Sequence, residues 1–264
     1  MIKKIKNTAL SIDSLKKLLS NRLFKIAARS DIAVRNVKDV PAGKVLVLAT
    51  HPDDETFSCG GAIIKHVKQA DPIKVIFFTD GSRGFPVGFR PSAREKKEMV
   101  VTREEEARHA ADILGLTDLI FMNYRDGELS ANKNNISYLR QLLSEYDPDI
   151  VYLPAVNDFN SDHSQTAKMF SGAVAEMVKK IQIFQYEVWS PIVANTVLNV
   201  DLEIEDKLKA VKAYKSQEKS RDYYSAIVGL DTYRGAISGA SKFAEGYFRS
   251  NKEFFLEYYK LDSQ

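Results

Sequence analysis

The chain has 264 residues, 44% of them hydrophobic and 28% charged, which is the composition of a soluble globular protein and excludes global disorder, a collagen repeat or a long coiled coil. Its single cysteine, Cys59, excludes an internal disulfide and a cysteine-rich zinc module, and no apolar run approaches the roughly 18 residues of a membrane-spanning helix. The net charge of +3 is unevenly placed, because residues 1–40 carry ten Lys or Arg against three Asp and so leave residues 41–264 at −4.

Residues 1–40 read as a basic helical arm. Leu10, Ile12, Leu15, Leu18 and Leu19 fall on one side of it and lysines on the other, so the arm either docks on the domain or lies against an anionic membrane surface. No unbroken apolar stretch follows its first lysines, so a signal peptide is not expected. The expected location is the cytoplasm, with peripheral membrane contact through residues 1–40 as the alternative. No basic patch interleaved with aromatics is present, and a nucleic-acid partner is not expected.

Residues 41–264 read as one domain in which strands and helices alternate. The apolar run 44–50 predicts a buried parallel strand, and residues 60–69 a helix. A second buried strand follows at 74–79, a Gly- and Pro-containing loop at 81–91, and a long amphipathic helix at 93–114 closed by Gly115. Strands are then predicted at 118–122, 149–153, 183–189 and 196–200, and helices at 134–145, 164–180 and 203–215. The aromatics after residue 220 are expected mainly as packing. This order predicts a Rossmann-like α/β fold, a mostly parallel sheet flanked by helices, with ligands bound outside the carboxyl ends of the strands.

Two loops at that edge carry the chemistry. His51-Pro52-Asp53-Asp54-Glu55 follows the first strand, and Asn157-Asp158-Phe159-Asn160-Ser161-Asp162-His163 follows the fourth. So many carboxylates beside histidines at a buried strand end are costly unless a cation sits among them. His51, one of the aspartates that follow it and His163 can converge, and two imidazoles with one carboxylate leave a coordination position for water, as in hydrolytic zinc sites. A further carboxylate could take that water's proton. The plainer reading is that Asp53, Asp54 and Glu55 only favour a helix N-terminus. His66 and His109, read as helix positions without acidic companions, are expected to be structural, and Cys59 a buried small residue. The Gly-x-Gly-x-x-Gly, Gly-Lys-Thr/Ser and Gly-x-Ser-x-Gly patterns are absent, which disfavours dehydrogenase, P-loop and serine-hydrolase chemistry.

The string from Ala49 to Glu55, followed by Gly60-Gly61, resembles the first motif of the PIG-L/LmbE-like family of zinc-dependent N-acetyl-sugar deacetylases. Thr79-Asp80-Gly81 with Arg83-Gly84, the stretch Arg103-Glu104-Glu105-Glu106-Ala107, the turn Tyr124-Arg125-Asp126-Gly127, the string Asn160-Ser161-Asp162-His163 and the late Tyr214-Lys215-Ser216-Gln217 are similar to later motifs in the same order. The resemblance implies that His51, Asp54 and His163 hold zinc, or ferrous iron in its place, and that Asp53 is the general base. It also implies hydrolysis of an acetamide on an N-acetylglucosamine-type sugar or sugar conjugate, with release of acetate. Asn160 stands where the family usually has a histidine; asparagine can donate a hydrogen bond to an oxyanion but cannot deliver a proton. Asp162 is expected to hydrogen-bond a histidine ligand or to cap the helix beside it. Arg83 could bind a phosphate or a sugar hydroxyl, and Asp126 could orient a sugar hydroxyl or cap its own turn. The alternatives are a non-catalytic sugar- or nucleotide-binding member of the fold and a zinc amidase acting on a non-sugar amide.

Overall fold

The computed structural model describes residues 34–262. Most of the basic arm therefore lies outside the described residues. Its last residues do not: Arg35–Val37 form an edge strand, β1, in the main sheet.

The central strands are β2 (Val45–Ala49), β3 (Ile73–Thr79), β4 (Asp118–Tyr124), β5 (Ile150–Pro154) and β6 (Gln182–Tyr186). Farther along the chain come β7 (Thr196–Asn199) and β8 (Ala244–Asn251). They form one eight-stranded sheet in the order β1-β7-β8-β6-β5-β2-β3-β4. Every pairing is parallel except those of β8, which runs antiparallel to both β6 and β7. All five residues of β2 are buried, as expected for a strand covered on both faces. Its side chains alternate between two cores: Val45, Val47 and Ala49 join one, and Leu46 and Leu48 the other.

The first core lies under helices α1 (Asp54–Lys68), α2 (Ala93–Leu114), α5 (Ile204–Val211) and α7 (Tyr223–Ser238). The second lies under α3 (Lys133–Tyr146), α4 (Ser161–Val174) and α8 (Lys252–Asp262). A short helix, α6 (Lys215–Glu218), follows α5. Local chemistry sets several of these boundaries. Ser92 and Glu95 form a reciprocal capping box at the start of α2, and Gly115 ends it in the left-handed conformation (φ 80°).

Helix α1 starts six residues before the predicted position. Its first turns are polar and face the sheet edge, so the apolar pattern becomes visible only after Cys59, whose φ of −138° kinks the helix. Helix α4 ends at Val174, short of residue 180, where the chain turns to enter β6 and Gln182 N–H bonds the Asp149 carbonyl. The predicted helix 203–215 is broken into α5 and α6.

From β2 the chain moves outward through β3 to β4, then returns to the other side of β2 for β5 and β6. The connections leaving β2 and β5 therefore part in opposite directions, and a crevice opens between them at their carboxyl ends. Both acidic loops lie at that point.

Candidate metal centre and its cleft

The loop after β2 is held by its own side chains. The His51 backbone N–H donates to Asp54 Oδ2 at 2.8 Å, and the Asp53 N–H donates to Glu55 Oε2 at 3.2 Å. Asp53 adopts a φ of 148°, a conformation that costs an L-residue energy unless its surroundings impose it. Across the crevice, Asn160 caps α4, its Oδ1 accepting from the Asp162 N–H at 2.9 Å. Thr50 Oγ1 and Thr166 Oγ1, 2.9 Å apart, tie the end of β2 to the same helix.

These constraints bring three atoms together. His51 Nδ1 lies 3.1 Å from His163 Nε2 and 3.6 Å from Asp54 Oδ2, and the last two are 3.3 Å apart. A tetrahedral zinc site with bonds near 2.1 Å needs ligand atoms about 3.4 Å apart, so the triangle fits a cation. Electrostatics points the same way. Burial alone would lower the His163 imidazole, yet the Asp54 charge and contacts with Asp158 and Asp54 push it up to about 9. His51 is likewise lowered by burial and driven well above its usual value by Asp126, Asp162 and Asp54. Burial would raise the Asp54 carboxyl, but the two imidazoles hold it far below the carboxylate range. The pocket is one that attracts positive charge.

The far side of each histidine also faces a carboxylate. Asp158 Oδ1 is 3.4 Å from His163 Nδ1, a buried atom with no hydrogen-bond partner. A ligand histidine coordinating through Nε2 needs an acceptor for its Nδ1 proton there. Asp126 Oδ1 and Asp162 Oδ2 lie 3.4 and 3.7 Å from His51 Nε2. His51, Asp126 and Asp162 make a second group close enough for an ion. Asp162 Oδ2 there accepts from the Gly127 N–H at 2.6 Å, and Asp126 accepts from the Arg83 N–H through Oδ2, the oxygen other than the one facing His51. The group of His51, Asp54 and His163, with two imidazoles and one carboxylate, matches the donor set of a hydrolytic zinc site more closely.

Asp53 points elsewhere. Its Oδ2 meets Arg103 Nη2 of α2 at 2.9 Å, and the same guanidinium donates to the Pro52 carbonyl. Burial raises the Asp53 carboxyl, Arg103 pulls it back, and neighbouring Asp54 raises it again, to about 7. Behind it, buried Glu55 accepts from Tyr214 Oη at 2.5 Å. A carboxyl poised near neutrality beside a cation site is able to take a proton from water.

A cleft of about 360 Å³ opens over these groups. Its floor is His51, Asp53, Asp54, Asp126 and Asp162. Its lining also includes Arg83, Arg103 and Asn160, and Trp189, Arg221 and Tyr223. Asn160 spends its Oδ1 on the helix cap, which leaves its amide N–H₂ for the cleft. The Arg83 guanidinium packs over Gly127, where any Cβ would collide with it. Asp162 does not cap α4; Asn160 does.

Sequence reasoning assigned no individual role to Arg103, Asp158 or Tyr214, and none beyond a helix start to Glu55, although each lies inside a string noted above. A string shows a residue's type, not what a residue some 50 or 160 positions away brings to it. His66 does have an acidic companion, contrary to expectation. Its Nδ1 meets Asp71 Oδ2 at 2.7 Å and its Nε2 meets Tyr152 Oη at 3.0 Å. Asp71 lies beyond the helix, and the fully satisfied, buried ring is structural. Cys59 is buried.

Residues 46–174 match the PIG-L family, described as GlcNAc-PI de-N-acetylase. A Bacillus anthracis protein named "Probable N-acetyl-alpha-D-glucosaminyl L-malate deacetylase 2" is 27% identical over 203 residues, covering 69% of this chain and 88% of that protein. The 4-oxalmesaconate hydratase of Pseudomonas putida is 24% identical over 209 residues, 72% of this chain and 80% of that one. The N,N'-diacetylchitobiose deacetylase of Pyrococcus horikoshii has a similar fold, with a TM-score of 0.70 at 20% identity over 95% of this chain and 96% of that one.

Proposed function

We propose that the chain, whose residues 46–174 match the PIG-L family, is a member of that family and a zinc-dependent N-deacetylase releasing acetate from an N-acetylglucosamine-type sugar or sugar conjugate. The observation that carries the reading is the meeting of His51 Nδ1, Asp54 Oδ2 and His163 Nε2 beside an Asp53 carboxyl raised to about 7. The deacetylase relatives support it.

His51, Asp54 and His163 would hold the zinc, which when bound supplies a Lewis acid for the amide carbonyl and lowers the pKa of the attacking water. Asp53 takes the proton of that water. Arg103 fixes the Asp53 carboxylate through Oδ2, and Glu55 fixes its backbone through the N–H, so the base is aimed before substrate arrives. The Asn160 amide donates a hydrogen bond to the oxyanion as the carbonyl carbon becomes tetrahedral. Because asparagine has no proton to give, the leaving amine takes its proton from Asp53, which has just received one. Asp158 accepts the Nδ1 proton of His163 and keeps Nε2 free as a ligand. Asp126, beside His51 Nε2, and Arg83 at the mouth contact the sugar.

The first experiment is metal content per chain after zinc loading and dialysis, for the unaltered protein beside His163→Ala, followed by acetate release from a panel of acetamido sugars. About one zinc, absent from the variant, is expected. An unaltered protein that retains no zinc would reject the reading. Acetate release also separates deacetylation from hydration, the activity in the name of the Pseudomonas putida relative.

A further inference from the structure

The loop between β3 and α2 has an unusual build for a solvent-exposed segment. Residues 85–89 read Phe-Pro-Val-Gly-Phe. The Phe89 N–H closes a turn on the Pro86 carbonyl at 3.0 Å, with Gly88 at φ 87° in its third position, the geometry of a type II turn. The rings of Phe85 and Phe89 stack across its base, 5.2 Å apart and 18° from parallel. Gln217 Nε2 of α6 pins the loop through the Gly84 carbonyl. This ordered turn presents Val87 at its tip, 85% exposed.

Two further connections at the same sheet edge do likewise. Phe159, after β5, is 89% exposed, and Val193, after β6, is 74% exposed; Trp189 on the latter connection is also exposed. Single exposed apolar residues are ordinary. Here they sit on the three connections that surround one cleft, and the tip best placed to protrude is held by a turn, a ring stack and a side-chain hydrogen bond. Charge accompanies them. Residues 83–98 hold five cations, among them Arg90, Lys96 and Lys97, against two carboxylates. Arg221 adds another in the lining of the cleft, stacked 4.8 Å over the Trp189 ring. Apolar tips set among cations match the boundary between acyl chains and anionic headgroups.

We propose that this edge docks on an anionic membrane surface, with Val87, Phe89 and Phe159 entering the headgroup boundary and the neighbouring cations meeting lipid phosphates. The mouth of the cleft then faces the bilayer, and the docking stands without the deacetylase reading.

The test is co-sedimentation of the full chain with vesicles of phosphatidylcholine alone and of phosphatidylcholine with about 30% phosphatidylserine. The unaltered protein should sediment with the anionic vesicles. Val87→Asp combined with Phe89→Asp should weaken that binding at least about tenfold, while Ile237→Asp, an exposed apolar position on α7, should leave it unchanged. Acetate release from a soluble acetamido sugar, unaltered in the double variant, would show that the variant is folded. It would also keep a failure of docking distinct from a failure of the deacetylase reading. An unaltered protein that ignores anionic vesicles would overturn the proposal. A double variant that binds them as the unaltered protein does would also overturn it, by assigning the contact to other residues such as the basic arm. So would a dimer in solution that the double variant converts to monomer, since a second copy would then be what covers the tips.

Discussion

Residues 46–174 and residues 175–262 both line the cleft and bring different chemistry to it. The first stretch supplies every imidazole and carboxylate of the lining; the second supplies Val188, Trp189, Gln217, Ser220, Arg221 and Tyr223, none of them an imidazole or a carboxylate. Yet the second stretch decides where the first one's groups point. Tyr214 holds Glu55. Ser216 holds Glu106 of α2 through its N–H and hydroxyl, at 2.7 and 2.6 Å. Glu245 of β8 receives the Gly61 and Ala62 N–H groups of α1 at 2.7 and 2.9 Å, just past the kink. In the proposed mechanism the reacting groups all come from the first part, and the second helps to position them.

That division is open to direct attack. Asp53→Asn should lower kcat by roughly 10²–10⁴-fold with zinc content per chain unchanged; a variant that turns over normally would remove Asp53 from the chemistry. Asp54→Ala and His163→Ala should abolish zinc retention while leaving the fold intact, read by metal analysis beside circular dichroism.

In the positioning half, Lys207 is fully buried between Asp231 Oδ2 at 2.7 Å and Glu245 Oε1 at 2.9 Å. Lys207→Met would strand both carboxylates, so a loss of about 3–5 kcal/mol is expected, read as a fall in Tm. A variant as stable as the unaltered protein would mean that the carboxylates take up protons without cost. Tyr214→Phe should do less, costing about 1–2 kcal/mol and slowing turnover by less than about tenfold as Glu55 loosens its hold on the Asp53 N–H.

The pH dependence of the metal site carries a definite sign. With His163 raised to about 9, the metal-free protein is stabilised by that proton below the unfolded value near 6.5 and loses the contribution as pH rises through about 9. Zinc must displace the same proton, so its affinity should climb over that window. A titration at pH 6.5, 7.5 and 8.5 that gave one constant affinity would contradict the coupling.

Much of the first stretch was legible in the sequence because β2, β3 and β5 are continuous apolar runs, and because both acidic loops sit where a parallel sheet presents its carboxyl ends. The resemblance then separated Asp53 from Asp54, which spacing alone could not. The second stretch was obscure for physical reasons. Strand β8 alternates small, charged and aromatic residues and carries buried Glu245, which reads as polar until Lys207 is beside it. Helix α7 includes Gly229 and Gly235, the latter where the Lys242 carbonyl approaches too closely for any Cβ, so it lacks the pattern of a good helix. Strand β1 is three residues at the end of a basic segment and gives no periodicity at all. At the site, the partners of Asp53 and His163 lie on other elements or depend on side-chain direction, and a linear string encodes neither.

The antiparallel strand β8 has a consequence for the order in which the chain assembles. It is the last strand in sequence among the described residues, yet it lies in the interior of the sheet, between β6 and β7. As the chain leaves the ribosome, β2 to β5 have their neighbours in hand, whereas β6 lacks one of its two and β7 and β1 have only each other until residue 251 has emerged. Lys207 waits equally long for Glu245, and so do the Gly61 and Ala62 N–H groups. The nascent chain therefore carries an open strand edge on β6, of the kind that invites pairing with another chain, until Asn251 has emerged.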